Sequence, residues 1–520
     1  MPGAAPIPAP PAASADVVLA TLNAKYIHSA VGLRCLRANL GPARGRSIIL
    51  EATIADRPID VVERILAARP RLVGLGVYVW NATASLAVVR LLKQLAPEVV
   101  VVIGGPEVSH ELEAQPIVAA ADHVITGEGE VALARVVATV LRGGRPLTKV
   151  IAGGSPDLAT LALPWDEYTD ADVAHRVIYV EAARGCPFAC EFCLSSLDDK
   201  VRSFPIDAVL AGLDRLIARG ARQFKFVDRT FNLAPRTSHA ILDFFLARQA
   251  LGVFAHFEMI PDRFPDGLRA RIAGFRPGAI QLEVGVQTLD AEVAERVSRR
   301  LDVDATAANL RWLADHTGAH VHADLIIGLP GEDAASFGRG FDQLLAMGPH
   351  EIQVGVLKRL RGTPIGRHDD AFAQVWSPDP PYELVASRVL PLAELQRLKR
   401  FARLWDLVAN RGYFPTALPA LWAGRSPFAT MLAFTDFVAA DPGAHLGAIA
   451  LPRLAELLVR FAHEVQGRPL AEYAPRVAAD LAGPGRSVPA LLAPYVTAAQ
   501  RDRRAAAGLP PRQARHHREG

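Results

Sequence analysis

Between residues 16 and 150 the hydrophobic positions gather into short runs with amphipathic stretches between them. The runs are DVVLATLN, RSIILEATI, RLVGLGVYVW, VVVVIGGPEVS and DHVITGEGE, and stretches such as SAVGLRCLRANL and PIDVVERILAARP repeat apolar residues at helical spacing. This alternation predicts a parallel, doubly wound α/β domain. Several runs close on Gly or Asn, at the carboxyl edge where such sheets place their ligands.

A connector, GGSPDLATLALPWDEYTDADVAH, precedes a second alternating series whose strands are RVIYVEAARG, QFKFVDRTFN, FAHFEMIP, AIQLEVGVQT, HVHADLIIGLP and EIQVGVLKRL. Six βα repeats over residues 176–375 fit an incomplete (β/α)6 barrel with its site in the loops after the strands. Beyond residue 376 the apolar periodicity becomes helical, as in LPRLAELLVRFAHEVQG. The expected organisation is a tail (1–15), an α/β domain (16–150), a linker (151–175), a partial barrel (176–375), a mainly α-helical C-terminal domain (376–505) and a basic tail (506–520). The helical domain is expected to close over the barrel mouth.

Charge adds little to this picture. The 57 basic and 54 acidic side chains leave a formal charge of +3, so the chain is no polycation, and nucleic-acid partners are not expected. The first fifteen residues carry no Lys or Arg and do not read as a signal peptide. Runs such as VVVVIGG are far shorter than a membrane span. Four cysteines point away from a disulfide framework and toward metal or redox chemistry, so a cytoplasmic, reduced protein without a membrane partner is expected.

Three of those cysteines, Cys186, Cys190 and Cys193, lie in CPFACEFC at C-x3-C-x2-C spacing, after a predicted strand. Thiolates so spaced converge from one loop on a metal centre. A zinc site adds a further pair of ligands, whereas a [4Fe–4S] cluster held by three cysteines keeps one iron open. The fourth, Cys35, lies on a predicted helix as a small buried hydrophobe.

CPFACEFC resembles the signature of the radical S-adenosylmethionine (SAM) superfamily, with Phe192 as its aromatic residue. The resemblance implies that the open iron chelates the amino and carboxylate groups of SAM, and that SAM is cleaved reductively to methionine and a 5′-deoxyadenosyl radical. FVDRTFN stands where the family has a Gly-Gly-Glu-like segment, which makes Asp228 the nearest contact for the SAM amino group. HFEMIP with Glu258, LEVGVQT with Gln287, Arg299, and HADLIIGLPGE with Asp324 are similar to the coproporphyrinogen-dehydrogenase-like branch, where the matching residues line the SAM pocket. Gly328, Pro330 and Gly331 are read as shaping a turn.

The N-terminal runs ahead of such a barrel resemble the cobalamin-binding radical SAM enzymes, whose first domain is flavodoxin-like. Asn23, Tyr26, Tyr78, Trp80, Asn81, Gly104, Gly105, Gly127, Glu128 and Gly129 are the residues this places near a corrin. The family's D-x-H-x-x-G pattern is absent: Tyr26 replaces the Asp and Gly32 lies one residue too far, so His28 is not assigned to cobalt. LNAKYIHSAVGLRCLRANL, FVDRTFN and the helical C-terminal region together are similar to an uncharacterised subgroup with its own C-terminal domain. The resemblance implies three cofactors (a [4Fe–4S] cluster, SAM and cobalamin) and an external electron donor such as flavodoxin or ferredoxin. The implied reaction is methylation of an unactivated carbon of a small molecule or peptide. A non-methylating cyclase or rearrangement enzyme, a corrinoid sensor with a non-catalytic cluster, and a methylthiotransferase are the alternatives. The last usually has a second cysteine triplet, where this chain has only Cys35.

Overall fold

A computed structural model of the chain describes residues 14–443, 447, 449–482 and 487–497. Most of the N-terminal tail and all of the basic C-terminal tail lie outside them. The first sheet contains β1 (Val17–Asn23), β2 (Ser47–Thr53), β3 (Leu72–Gly76), β4 (Val100–Gly104), β5 (His123–Thr126) and β6 (Val150–Ala152), in the order β2-β1-β3-β4-β5-β6. Every pairing is parallel, and β1, buried along its whole length, sits between β2 and β3. The predicted run RLVGLGVYVW is strand only as far as Gly76, and its aromatic end is a loop.

Helices cover both faces. Val61 and Ile65 of α2 (Pro58–Ala67), Val88 and Leu92 of α3 (Ala82–Leu95) and Ile117 of α4 (Pro116–Ala120) pack on one side. Leu33 of α1 (Val31–Ala38) and Leu133 and Val137 of α5 (Glu130–Leu141) pack on the other. Each such side chain contributes about 1.5–3 kcal/mol by leaving water. The chain reverses its direction of winding between β1 and β3, and such a switch opens a crevice at the carboxyl ends of those strands.

Residues 153–175, which follow β6, form a wedge between the two sheets. Trp165 and Tyr168 are buried in the core of the second unit. The Arg34 side chain is almost fully buried, with Glu51 at 2.7 Å and Asp172 of the wedge at 2.9 Å.

The second sheet contains β7 (Ile178–Val180), β10 (Gln223–Phe226), β11 (Phe254–Met259), β12 (Ile280–Gln287), β13 (His320–Ile327) and β14 (Glu351–Val356); between the first two lies a short antiparallel hairpin of β8 (Ala183–Arg184) and β9 (Arg202–Ser203). The order is β14-β13-β12-β11-β10-β7, all parallel, with β7 and β14 at the two edges: an open partial barrel. Ile280, Leu282, Val284 and Val286 of β12 are sealed against the outer helices, while Gln281, Glu283 and Gln287 alternate with them on the accessible inner face.

The C-terminal region is mainly helical; Leu384 packs at Gly328 just after β13 and Tyr382 Oη donates to Glu107 of the first domain at 2.6 Å, while the helices that follow dock on the barrel's flank. Phe341, on the helix Ala334–Ala346, meets Phe401 at 5.1 Å and Trp405 at 4.7 Å between ring centroids. The Asn410 side chain donates to the Ile352 carbonyl at 2.9 Å and accepts from its N–H at 3.0 Å, which covers the exposed edge of β14. Among the described residues no helix is long and apolar enough to cross a membrane.

Candidate functional site

The cysteine loop grows out of the β8/β9 hairpin, in which Arg184 lies opposite Arg202. Gly185 is needed at its base: its φ is +90°, and an added Cβ would lie 2.2 Å from the Lys200 carbonyl. The Cys186 N–H donates to the Asp198 carbonyl at 2.8 Å, and Ser196 Oγ donates to the Cys193 carbonyl at 2.6 Å. Cys186 and Cys190 are buried and Cys193 half-buried. Burial pushes the Cys186 thiol up, as do the neighbouring Cys193 and Cys190, while the Phe188 N–H and Arg299 act against this. Among the described residues no three Cys, His, Asp or Glu side chains are close enough to share a single metal ion. A cluster makes no such demand, because each cysteine takes a different iron. Three free thiols on one loop suit a cluster that takes one cysteine per iron.

Glu191, between two of the cysteines and buried, is a feature the sequence reading passed over. It accepts from Ser298 Oγ at 2.8 Å and from Arg367, and its other oxygen lies 2.8 Å from His368 Nε2. Its N–H donates to the Val297 carbonyl at 3.1 Å, so the loop is tied both to the turn before Arg299 and to the segment after β14. Phe192 is partly buried against the barrel core.

Three of the predicted SAM residues meet around Gly285. Arg299 donates to the Gly285 carbonyl and points Nη1 at Cys190 Sγ, 3.6 Å away. Gln287, at a φ of +73°, folds back so that a Cβ on Gly285 would lie 2.6 Å from its Nε2. Asp324 stands opposite Gly285 in the β12/β13 register. Arg299 Nε is buried without a hydrogen-bond partner.

Glu258 and Asp228 stand apart from this group. Glu258 accepts from Arg229 at 2.8 and 3.1 Å through its two oxygens, and burial raises its pKa against that pairing. Asp228 accepts from the Ala182 N–H at 3.0 Å and is pushed up to about 7 by burial. Its carboxyl joins the ends of β7 and β10, and its neighbour Arg229 is the side chain that reaches toward the lumen acid.

Below this ring the inner face of the barrel is ionisable. Glu283 has Lys225 Nζ at 3.2 Å and His256 Nε2 at 2.9 Å, and His322 Nε2 lies 3.3 Å from Asp324. Burial opposes the charge on Glu283, but His256 and Lys225 outweigh it and hold the carboxyl below its usual range. Burial likewise disfavours charge on His322, but Asp324 overrides it and raises the imidazole pKa. The signal for this set was available as the period-2 polar positions of HFEMIP, LEVGVQT and HVHADL.

In the first domain a cavity of about 360 Å³ lies between α1 and the strand ends. Its walls include Tyr78, Gly104, Gly105, Gly127, Glu128 and Gly129, six of the ten residues expected there. Gly105 has a φ of +115°, and a Cβ on it would lie 2.5 Å from the Val77 carbonyl. Burial pushes the Tyr78 hydroxyl up to about 12. Cys35, Glu130, Glu181 and Arg184 complete the polar part of the wall, and Glu130 Oε2 is buried without a hydrogen-bond partner.

The other four have different work. The Asn81 amide donates to the Leu22 carbonyl at 3.0 Å and its oxygen accepts from the Tyr78 N–H at 2.8 Å. Asn23 donates to the His28 carbonyl at 3.0 Å and to Glu51 at 2.9 Å. Tyr26 lies under the Arg176 guanidinium, 4.5 Å from ring centroid to Cζ, and half-exposed Trp80 stacks on Tyr78 at 4.4 Å. His28 Nδ1 sits 2.8 Å from Tyr179 Oη, which pins its loop to the barrel.

Two family models match: a B12 binding domain over residues 17–137 and the radical SAM superfamily over residues 180–342. The chain is a cobalamin-binding radical SAM protein. The radical SAM match brings a [4Fe–4S] cluster and SAM, and the B12 domain brings cobalamin. The cobalamin-dependent radical SAM methyltransferase TokK of Streptomyces tokunonensis is 26% identical over 356 residues, covering 60% of this chain and 50% of TokK. A 2-(S-pantetheinyl)-carbapenam-3-carboxylate methyltransferase of Streptantibioticus cattleyicolor is 25% identical, covering 56% of this chain and 48% of that enzyme. The matches thus span about half the length of these curated relatives. The structure of the cobalamin-dependent SAM radical enzyme OxsB with aqua-cobalamin bound shares the fold, with a TM-score of 0.62 over 88% of this chain and 80% of OxsB at 12% identity.

For this radical SAM protein the residues present suit the groups. The cysteine loop offers three thiols and a guanidinium beside one of them, and the first domain offers a glycine-walled cavity with a buried acceptor lacking a donor.

Proposed function

We propose that this protein is a radical SAM C-methyltransferase acting on a polar small molecule or peptide. The observation that carries the reading is the shared wall. The strand that leads into the cysteine loop also supplies Arg184 to the wall of the first-domain cavity, which supports a reading in which the two cofactors work side by side. Two methyltransferases among the relatives support it.

When bound, the cluster supplies the electron that cleaves SAM reductively, and cobalamin supplies the carrier of a methyl group. The chain's own residues do the rest. Cys186, Cys190 and Cys193 hold the cluster and leave one iron to SAM. Arg299 donates toward Cys190 and, with Gln287 and Asp324, offers the donors and acceptors that hold SAM's polar groups. Lys225, His256, Glu283 and His322 line the lumen below, where a substrate rich in hydrogen-bonding groups is solvated and an acyl chain is not. We also infer an external one-electron donor of flavodoxin or ferredoxin type.

Product balance tests the reading. The reconstituted chain is incubated anaerobically with SAM, a reductant and a fractionated polar-metabolite extract. S-adenosylhomocysteine rising together with 5′-deoxyadenosine, and label from methyl-deuterated SAM in a product, is the expected result. 5′-Deoxyadenosine without S-adenosylhomocysteine points instead to a cyclase or rearrangement enzyme.

A further inference from the structure

Arg184 stands two residues before Cys186, and its guanidinium reaches three carboxylates. Glu128 and Glu130 of the first domain lie at 2.6 Å each, and Glu181 lies at 2.8 Å. The second oxygen of Glu128 pairs with Arg202, the residue opposite Arg184 in the hairpin, and Arg202 also pairs with Asp198 at 3.0 Å. The Asp198 carbonyl then receives the Cys186 N–H. One ionic network therefore runs from the cavity wall to the first cluster cysteine.

The cavity end of the network is sheltered, with the Arg184 side chain 12% exposed and that of Glu130 6%, while Arg202 and Asp198 nearer the cysteine loop are more open. Interactions in such surroundings are screened far less than surface pairs. It is also short of donors on the cavity side. Glu130 Oε2 has no hydrogen-bond partner, and burial raises the Glu181 pKa against its pairing with Arg184. A simple fastening between domains would need neither a shared cavity wall nor an unsatisfied oxygen on one of its residues. A corrinoid carries amide side chains, which are donors of the kind that oxygen lacks.

We propose that Arg184 is a positioning residue through which filling the first-domain cavity with a corrinoid fixes the base of the cluster loop. A ligand donor on Glu130 Oε2 holds Glu130 and Glu128 in place. They hold Arg184 and Arg202, and the hairpin then holds Cys186. Coupling of this kind is reciprocal, so a loaded cluster must tighten corrinoid binding by the factor with which the corrinoid favours the ordered loop. The inference rests on the cofactor assignment used above but not on methylation.

The test measures hydroxocobalamin binding to the full chain by equilibrium dialysis, in the iron-free and the cluster-reconstituted forms. Wild type should bind at least about fivefold more tightly with the cluster in place, at the low end of typical coupling. Glu128→Gln and Arg184→Lys should each bring that ratio below about twofold, as loss of most of that coupling requires. The Mössbauer spectrum of the oxidised, isotope-enriched cluster, which has no electron to give the corrinoid, should change on adding hydroxocobalamin in wild type and stay unchanged in Glu128→Gln, a milder variant that leaves Arg184 paired with Glu130 and Glu181. Equal affinity of the two wild-type forms, or variants that keep the wild-type ratio, overturns the coupling alone. Failure of both forms to retain hydroxocobalamin overturns the coupling and the proposed function together.

Discussion

Arg299 Nη1 lies 3.6 Å from Cys190 Sγ while Nη2 is anchored on the Gly285 carbonyl. The guanidinium is thus fixed between the β12 end and Cys190, one of the three proposed cluster ligands. Hydrogen bonds to cluster sulfurs withdraw electron density and raise the reduction potential. Arg299→Met should shift the potential of the reconstituted cluster downward, read by a spectroscopic redox titration. SAM cleavage should fall about 10- to 100-fold, as for other residues that support metal ligands. An unchanged potential would remove Arg299 from this role.

Asp228 gives a prediction in pH. Burial raises its folded-state pKa from 3.8 to about 7, so between those values the unfolded chain is ionised while the folded chain keeps the proton. The contribution of this group is therefore most favourable below about pH 4, is lost as pH rises toward 7, and is flat above. The upper bound is ~4 kcal/mol, at 1.36 kcal/mol per unit. Asp228→Asn keeps an acceptor for the Ala182 N–H and should flatten the dependence of the unfolding midpoint between about pH 4 and pH 7. Parallel profiles for the two proteins would count against it.

His28 is occupied by Tyr179 across the domain boundary. Its pKa is lowered by burial, and Lys25 and Lys225 add to the effect. That contact uses Nδ1 alone, but His28 is not among the residues that wall the first-domain cavity, so it is not placed to reach cobalt there. His28→Ala should leave the absorption and paramagnetic spectra of bound cobalamin as in wild type while costing ~1 kcal/mol of stability for the lost hydrogen bond. A changed axial-nitrogen signature would reverse the assignment.

Gly105→Ala tests the cavity wall. The substitution meets a φ of +115° and a backbone oxygen 2.5 Å from the new Cβ. It should cost ~1–3 kcal/mol and weaken hydroxocobalamin retention. Cluster content, set in the other domain, should stay within error. Equal loss of cluster and corrinoid would indicate global unfolding instead.

The sequence by itself determined what is written in local order. The x3/x2 spacing of Cys186, Cys190 and Cys193 needs one loop, and the apolar runs of β1 and β4 need only a few residues each to declare a buried parallel strand. Arg299, Gln287 and Asp324 were named only through the resemblance of their motifs to a radical SAM branch, and it is the β12/β13 register that gathers them at Gly285. Tertiary structure alone decided the partners. Glu128, on the wall of the first-domain cavity, pairs with Arg184 and Arg202, which are 56 and 74 residues away. Arg229 takes Glu258, and Lys225 and His256 converge on Glu283. Asn81 and Asn23, expected at the ligand, are used up on nearby carbonyls. These pairings depend on the register of neighbouring strands and on how two sheets meet. Neither is encoded in the spacing of residues along one segment. Both follow from burying polar groups that must then find a donor or acceptor wherever the fold brings one within reach.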